Sequence, residues 1–93
     1  MNNKRQMQII YTKDFIKSYK KLSTVNKQAV DKTLELFSKN PQNPILRNHS
    51  LKGSKQGFKS IDVKFDLRVL FYEEDSYLKI IMLEVGTHSQ LYG

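Results

Sequence analysis

The chain of ninety-three residues contains no cysteine, which removes disulfide frameworks, thiolate nucleophiles and cysteine-ligated zinc or iron–sulfur centres. It contains only two histidines, His49 and His88, too few for a histidine-rich metal site, so no metal or other cofactor is expected. Glycine and proline are sparse, at four and two residues, and there is no repeat, low-complexity tract or Gly/Ser linker. The longest apolar runs are as short as Ile80-Ile81-Met82-Leu83, far from the ~20 residues that cross a bilayer. No apolar segment follows the basic start through Lys4 and Arg5, so no secretory signal is expected and a cytoplasmic location is the default.

Acidic residues are also in short supply, nine against sixteen Lys and Arg, for a formal charge of +7. The imbalance is local. Residues 1–59 hold thirteen of the basic residues and three of the acids, whereas residues 60–93 hold three and six. A cationic front of this kind suits a polyanion, because each Lys or Arg that neutralises a phosphate releases condensed counterions. A lysine-rich solvated helix face explains the same pattern without a ligand.

With 39% hydrophobic residues the chain has apolar surface for one core and too little length for two. Residues 1–6 read as a loose tail and 7–93 as a single domain. Met7–Tyr11 alternates like a short strand. Thr12 is placed to cap a helix whose buried stripe is Phe15, Ile16, Tyr19 and Leu22, leaving Lys13, Lys17, Lys20 and Lys21 outside. Ser23 or Thr24 caps a second helix with Val25, Ala29, Val30, Thr33, Leu34 and Phe37 on one face, ending before Asn40-Pro41. After an irregular stretch to Ser50, three runs rich in β-branched and aromatic residues follow: Phe58–Val63, Leu67–Tyr72 and Tyr77–Val85. Their short connections, Lys64-Phe65-Asp66 and Glu74-Asp75-Ser76, predict an antiparallel meander. The expected fold is α+β in the order β-α-α-β-β-β, a helical hairpin packed on a mainly antiparallel sheet.

Polar candidates gather at strand ends and loops: His49, Asp62, Asp66, Arg68, His88 and Tyr92. Alternation puts Ser60, Asp62 and Lys64 on one face of their strand, which predicts an open polar face. Cleaving RNA without a metal needs a base for the ribose 2′-hydroxyl proton, a cation for the phosphorane and an acid for the departing 5′-oxygen. Imidazole serves as acid or base, because its ordinary pKa lies near neutrality. A guanidinium binds phosphate bidentately, and aromatic rings hold unstacked bases. The same residues also have structural explanations: Asp62 and Asp66 as partners of nearby cations including Arg68, and Tyr92 as a terminal lock on the core. Composition and spacing alone describe a small basic α+β domain that binds nucleic acid.

Asn48-His49-Ser50-Leu51-Lys52-Gly53, then Gly57-Phe58-Lys59, Asp66, and Gly86-Thr87-His88-Ser89-Gln90-Leu91-Tyr92-Gly93, resemble in order and spacing the YafQ branch of the RelE/ParE toxin superfamily. Asn48 stands for the usual Asp, and Tyr92 for the usual Phe. The resemblance implies the toxin half of a type II toxin–antitoxin pair, acting as a metal-independent endoribonuclease on messenger RNA at the ribosome. It also implies neutralisation by a cognate acidic antitoxin. It places His49, Asp66, His88 and Tyr92 on positions used for catalysis or substrate contact, with Lys52, Lys59 and Asp62 among the substrate contacts. Arg68 is similar to the strand arginine of RelE-type relatives that contacts the scissile phosphate.

The sequence departs from the family pattern at Asp62, where a histidine is typical, and at Ser60, where an acid is common. The roles implied are His88 as general acid, Asp66 or His49 as base, Arg68 on the phosphorane and Tyr92 stacked on a base. Two rivals share the architecture: a noncatalytic ParE-like inhibitor of DNA gyrase, and a decayed toxin that only binds RNA and antitoxin.

Overall fold

A computed structural model describes residues 6–92, so residues 1–5 of the expected tail lie outside the described residues. The elements are β1 (Gln8–Tyr11), α1 (Lys13–Lys20), α2 (Thr24–Lys39), β2 (His49–Ser50), β3 (Lys59–Lys64), β4 (Leu67–Glu74), β5 (Lys79–Gly86) and α3 (His88–Tyr92), with 3-10 turns at Pro44–Leu46 and Gly53–Lys55. They form an α+β fold, three helices on one five-stranded sheet of order β1-β5-β4-β3-β2. Only β1 runs parallel to its neighbour, and the other pairings are antiparallel. No helix among the described residues is long and apolar enough to cross a membrane.

Both long helices begin where hydroxyl caps are written in the sequence. Thr12 Oγ1 accepts from the Phe15 N–H at 3.1 Å and donates to the Met82 carbonyl at 2.9 Å, so one side chain starts α1 and fastens it to β5. Ser23 Oγ accepts from the Asn26 N–H at 3.1 Å and starts α2. Ser18 Oγ, which donates to the Phe15 carbonyl, accepts from the Val85 N–H at 3.1 Å, a second tie between α1 and β5.

The core lies between the helices and one sheet face: Phe15, Val30, Leu34 and Phe37 from the helices meet Ile61, Leu67, Val69, Phe71, Ile80, Met82 and Val85. On β4 the core-facing residues Leu67, Val69 and Phe71 keep period two, and Leu70 is buried on the opposite face. On β5 the core-facing set jumps from Met82 to Val85, because Phe71 pairs with Met82 while Leu70 pairs with Glu84, leaving Leu83 as an extra residue. This bulge reverses the alternation. Beyond it Val85 faces the core, while Glu84 and Gly86 turn to the opposite face beside Leu70 and Arg68.

Several expectations change. Ile16 is 44% exposed and Val25 65% exposed, although both fit the apolar spacing. Ile16 sits about 100° around the helix from the buried Phe15, and Val25 precedes the first buried position of α2 by more than a turn. Tyr77 does not open the last strand; Asp75, Ser76 and Tyr77 all have positive φ, and β5 begins at Lys79. The displaced Tyr77 ring packs instead on Phe37 and Phe71, at centroid separations of 6.2 and 6.4 Å. Ser60 is fully buried rather than on an open polar face, and its Oγ has no partner among the described residues. The stretch to Ser50 contains a two-residue strand, and the segment after Gly86 is helical.

Phe37 joins α2 to this aromatic cluster, with its ring edge-on to Phe71 at 5.0 Å. Phe37→Ala is expected to cost about 3–5 kcal/mol of folding stability, read as a lowered midpoint in urea denaturation.

Candidate functional site

The face opposite the core is organised by register. On β3, Ser60 and Asp62 point the same way; Ser60 lies between His49 of β2 and Leu70 of β4, and Asp62 lies opposite Arg68. Arg68 in turn lies opposite Gly86 of β5. One row of the sheet thus carries His49 and the next carries Asp62 and Arg68, a step of roughly 7 Å along the strands.

Asp62 does not stand alone. Its Oδ1 lies 3.4 Å from Arg68 Nε and its Oδ2 lies 3.3 Å from Arg47 Nε. The carboxylate therefore bridges two guanidinium groups. As a stabilising device this is worth about 0–1 kcal/mol, because the Arg47 side chain is largely in solvent. As a positioning device it does more: a guanidinium has five N–H donors, so each arginine has donors left for an anion.

Arg47 also fixes His49. The chain turns through a left-handed conformation at Arg47, and its carbonyl lies 2.7 Å from His49 Nδ1. A carbonyl only accepts, so Nδ1 carries the hydrogen of this bond and the neutral ring keeps its lone pair on Nε2. His49 itself is exposed.

The second imidazole arrives from the chain's other end. After β5 the sequence Thr87-His88-Ser89-Gln90 closes a capping box: Gln90 N–H donates to Thr87 Oγ1 at 3.2 Å, and Thr87 N–H donates to Gln90 Oε1 at 2.8 Å. Gly86 permits it, since a Cβ there would sit 2.8 Å from Gln90 Oε1. The first helical residue is His88, whose N–H donates to Asp66 Oδ1 at 3.1 Å. Asp66 occupies the β3–β4 turn with φ 55°, a conformation Asp tolerates better than most residues. The Asp66 carboxylate thus anchors α3 to the hairpin tip. Within α3 the His88 and Tyr92 rings lie 4.6 Å apart, tilted by 46°.

Two contact groups result, Asp62 with Arg68 and Asp66 with His88 and Tyr92; Asp62, Asp66 and Arg68 line one concavity, and His49 lies on β2 opposite Ser60. Lys59 is held by Ser50, its Nζ donating to Ser50 Oγ at 3.0 Å, and Lys52 is exposed on the preceding loop. Lys13, Lys17, Lys20 and Lys21 are exposed along α1 and its end, as their spacing indicates.

Sequence reasoning missed Arg47 and Gln90. Gln90 was readable in the Thr-x-x-Gln spacing. Arg47 had no local signal, because its role comes from a left-handed loop that only the folded chain reveals.

A family model for the bacterial toxin of type II toxin–antitoxin systems, YafQ, matches residues 7–93. Among solved structures the chain is similar to a copper-bound substitution mutant of a toxin from Helicobacter pylori, at 28% identity and a TM-score of 0.72, covering 91% of this chain and 98% of that one. It is similar to the E. coli DinJ–YafQ toxin–antitoxin complex at 23% identity and a TM-score of 0.77, covering 95% and 99%. The RelBE2 toxin–antitoxin complex of Mycobacterium tuberculosis follows the same fold at 18% identity and a TM-score of 0.73, over 89% and 99%. No curated protein matches.

The Asp66 anchor predicts a difference between two substitutions. Asp66→Asn keeps an Oδ1 acceptor and should leave the His88 amide protected from hydrogen exchange. Asp66→Ala removes the acceptor and should speed that exchange about tenfold or more. Equal exchange in both variants would show that the carboxylate does not hold the helix.

Proposed function

Because the chain belongs to the YafQ family of bacterial type II toxins, we propose that it is a metal-independent endoribonuclease that cuts messenger RNA on the ribosome. The observation that supports this reading is the sheet row that holds Arg68 and, through Asp62, Arg47, with His49 in the adjacent row on β2 and the helix that bears His88 tied by its backbone N–H to Asp66 of the β3–β4 turn.

His49 takes the ribose 2′-hydroxyl proton on Nε2, the atom left unprotonated by the Nδ1 bond to the Arg47 carbonyl. The 2′-oxygen then bonds to the adjacent phosphorus. Arg68, with Arg47, neutralises the charge that builds on the phosphorane oxygens. His88 gives its proton to the departing 5′-oxygen as the P–O5′ bond breaks, and the products carry a 2′,3′-cyclic phosphate and a 5′-hydroxyl. Asp62 and Asp66 act through others, the first by holding the arginines and the second by holding the helix that bears His88. Asp66 is thereby better suited to anchoring than to serving as the base.

Tyr92 stacks on a base of the substrate, and Lys52 and Lys59 take flanking phosphates. The four lysines of α1 and its end add sequence-blind attraction to ribosomal RNA. The partner that silences the toxin is an antitoxin with an acidic, partly disordered segment that folds onto the cationic face, covering the cleft or displacing Tyr92. A toxin that acts on ribosomes acts in the cytoplasm, the location this reading implies.

General acid catalysis contributes about 10²- to 10⁴-fold. His88→Ala should therefore lose cleavage by that factor in an inducible strain, read by primer extension on induced messages together with relief of growth arrest. Undiminished cleavage would remove His88 from the chemistry. Growth arrest with intact messages and blocked supercoiling by purified gyrase would replace the nuclease by a ParE-like mode. Reversing the charge of Lys13, Lys17, Lys20 and Lys21 should weaken ribosomal RNA binding and flatten its salt dependence by about one unit of log–log slope for each phosphate no longer neutralised. An unchanged slope would leave α1 as a solvated face.

A further inference from the structure

The β3–β4 turn carries a side chain that neither the core nor the proposed chemistry uses. Phe65 is 98% exposed, and Ile45, on the facing 3-10 turn, is 74% exposed. Both line an open concavity of about 640 Å³ together with Arg47, Asp62, Asp66 and Arg68. Turn tips favour small polar residues, and a fully exposed phenylalanine leaves unused the stabilisation that burial of its ring would bring. Among the described residues Phe65 has no aromatic partner.

The surroundings favour one kind of occupant. An exposed ring beside two guanidinium groups offers a π-face and phosphate donors together, which is what one unpaired nucleotide presents to be bound. The two carboxylates that would repel its phosphate are already engaged, Asp62 by both arginines and Asp66 by the His88 amide. We propose that this concavity is a second base subsite of the RNA-binding face, in which an unpaired base stacks on Phe65 against Ile45 while its phosphate meets Arg47 and Arg68. The inference rests on the ribonuclease reading and extends it by one nucleotide beyond the base assigned to Tyr92. Every base has a π-face, so Phe65 supplies affinity with little base preference.

The sequence contains no tryptophan, so Phe65→Trp introduces a single indole fluorophore at the subsite. The probe is a short 2′-O-methyl oligoribonucleotide, which has no 2′-hydroxyl to attack and stays intact. Its binding should quench the indole. Phe65→Ala should weaken that binding about tenfold by fluorescence anisotropy, raise KM for a cleavable RNA with kcat little changed, and be rescued by Phe65→Tyr. Wild-type binding and cleavage combined with unaltered affinity in Phe65→Ala would overturn the subsite and leave the nuclease standing. A wild-type chain that neither binds nor cuts RNA would overturn the nuclease and the subsite together. An indole that responds to an acidic peptide and ignores bound RNA would also overturn the proposal, assigning the surface to a protein.

Discussion

One hydrogen bond, from the His88 backbone N–H to the Asp66 carboxylate, makes a single site of two distant parts of the chain. α3 has five residues, well below the length at which an isolated helix persists in water. It is held by the burial of Leu91 and by the contacts at its start: the Thr87–Gln90 capping box, the absence of a Cβ at Gly86 and the Asp66 acceptor. A carboxylate accepting from a backbone amide contributes about 1.5–3 kcal/mol, more than an uncharged pair, and opposes the positive end of the helix dipole.

The sheet performs the complementary task for the cations. A bulge at Leu83 shifts β5 by one residue, so that Val85 completes the core while Gly86 sits on the site face opposite Arg68. Asp62 stands where the resemblance leads one to expect a histidine, and its carboxylate sets the chemistry of that row. An imidazole there would supply a proton acceptor; the carboxylate instead gathers Arg47 and Arg68. In the proposed mechanism proton transfer falls to His49 and His88, and Arg47 and Arg68 clamp the phosphate.

Much of this was legible before folding, for identifiable reasons. Thr12 and Ser23 are helix caps by chemistry as well as position, and both act as such. The three late strands follow from β-branched runs separated by short turns. What sequence concealed was mostly non-local. The exposure of Ile16 and Val25 depends on where each helix meets the sheet, which periodicity does not encode. Ser60 is buried because of what surrounds it, and the arginine pair on Asp62 joins residues fifteen and six positions away. The capping box of α3 was the exception, a local signal open to reading.

The proposed mechanism makes a ribose 2′-hydroxyl the nucleophile and has side chains of this chain move the protons. The direct measurement is cleavage, on intact programmed ribosomes, of a message carrying a single 2′-deoxy nucleotide immediately 5′ of the scissile phosphate, with the ends identified by mass spectrometry. The mechanism predicts no cutting at the deoxy position and, in the all-ribose message, a 2′,3′-cyclic phosphate opposite a 5′-hydroxyl. Cutting through the deoxy position, or products that end in a 3′-hydroxyl and a 5′-phosphate, would contradict it.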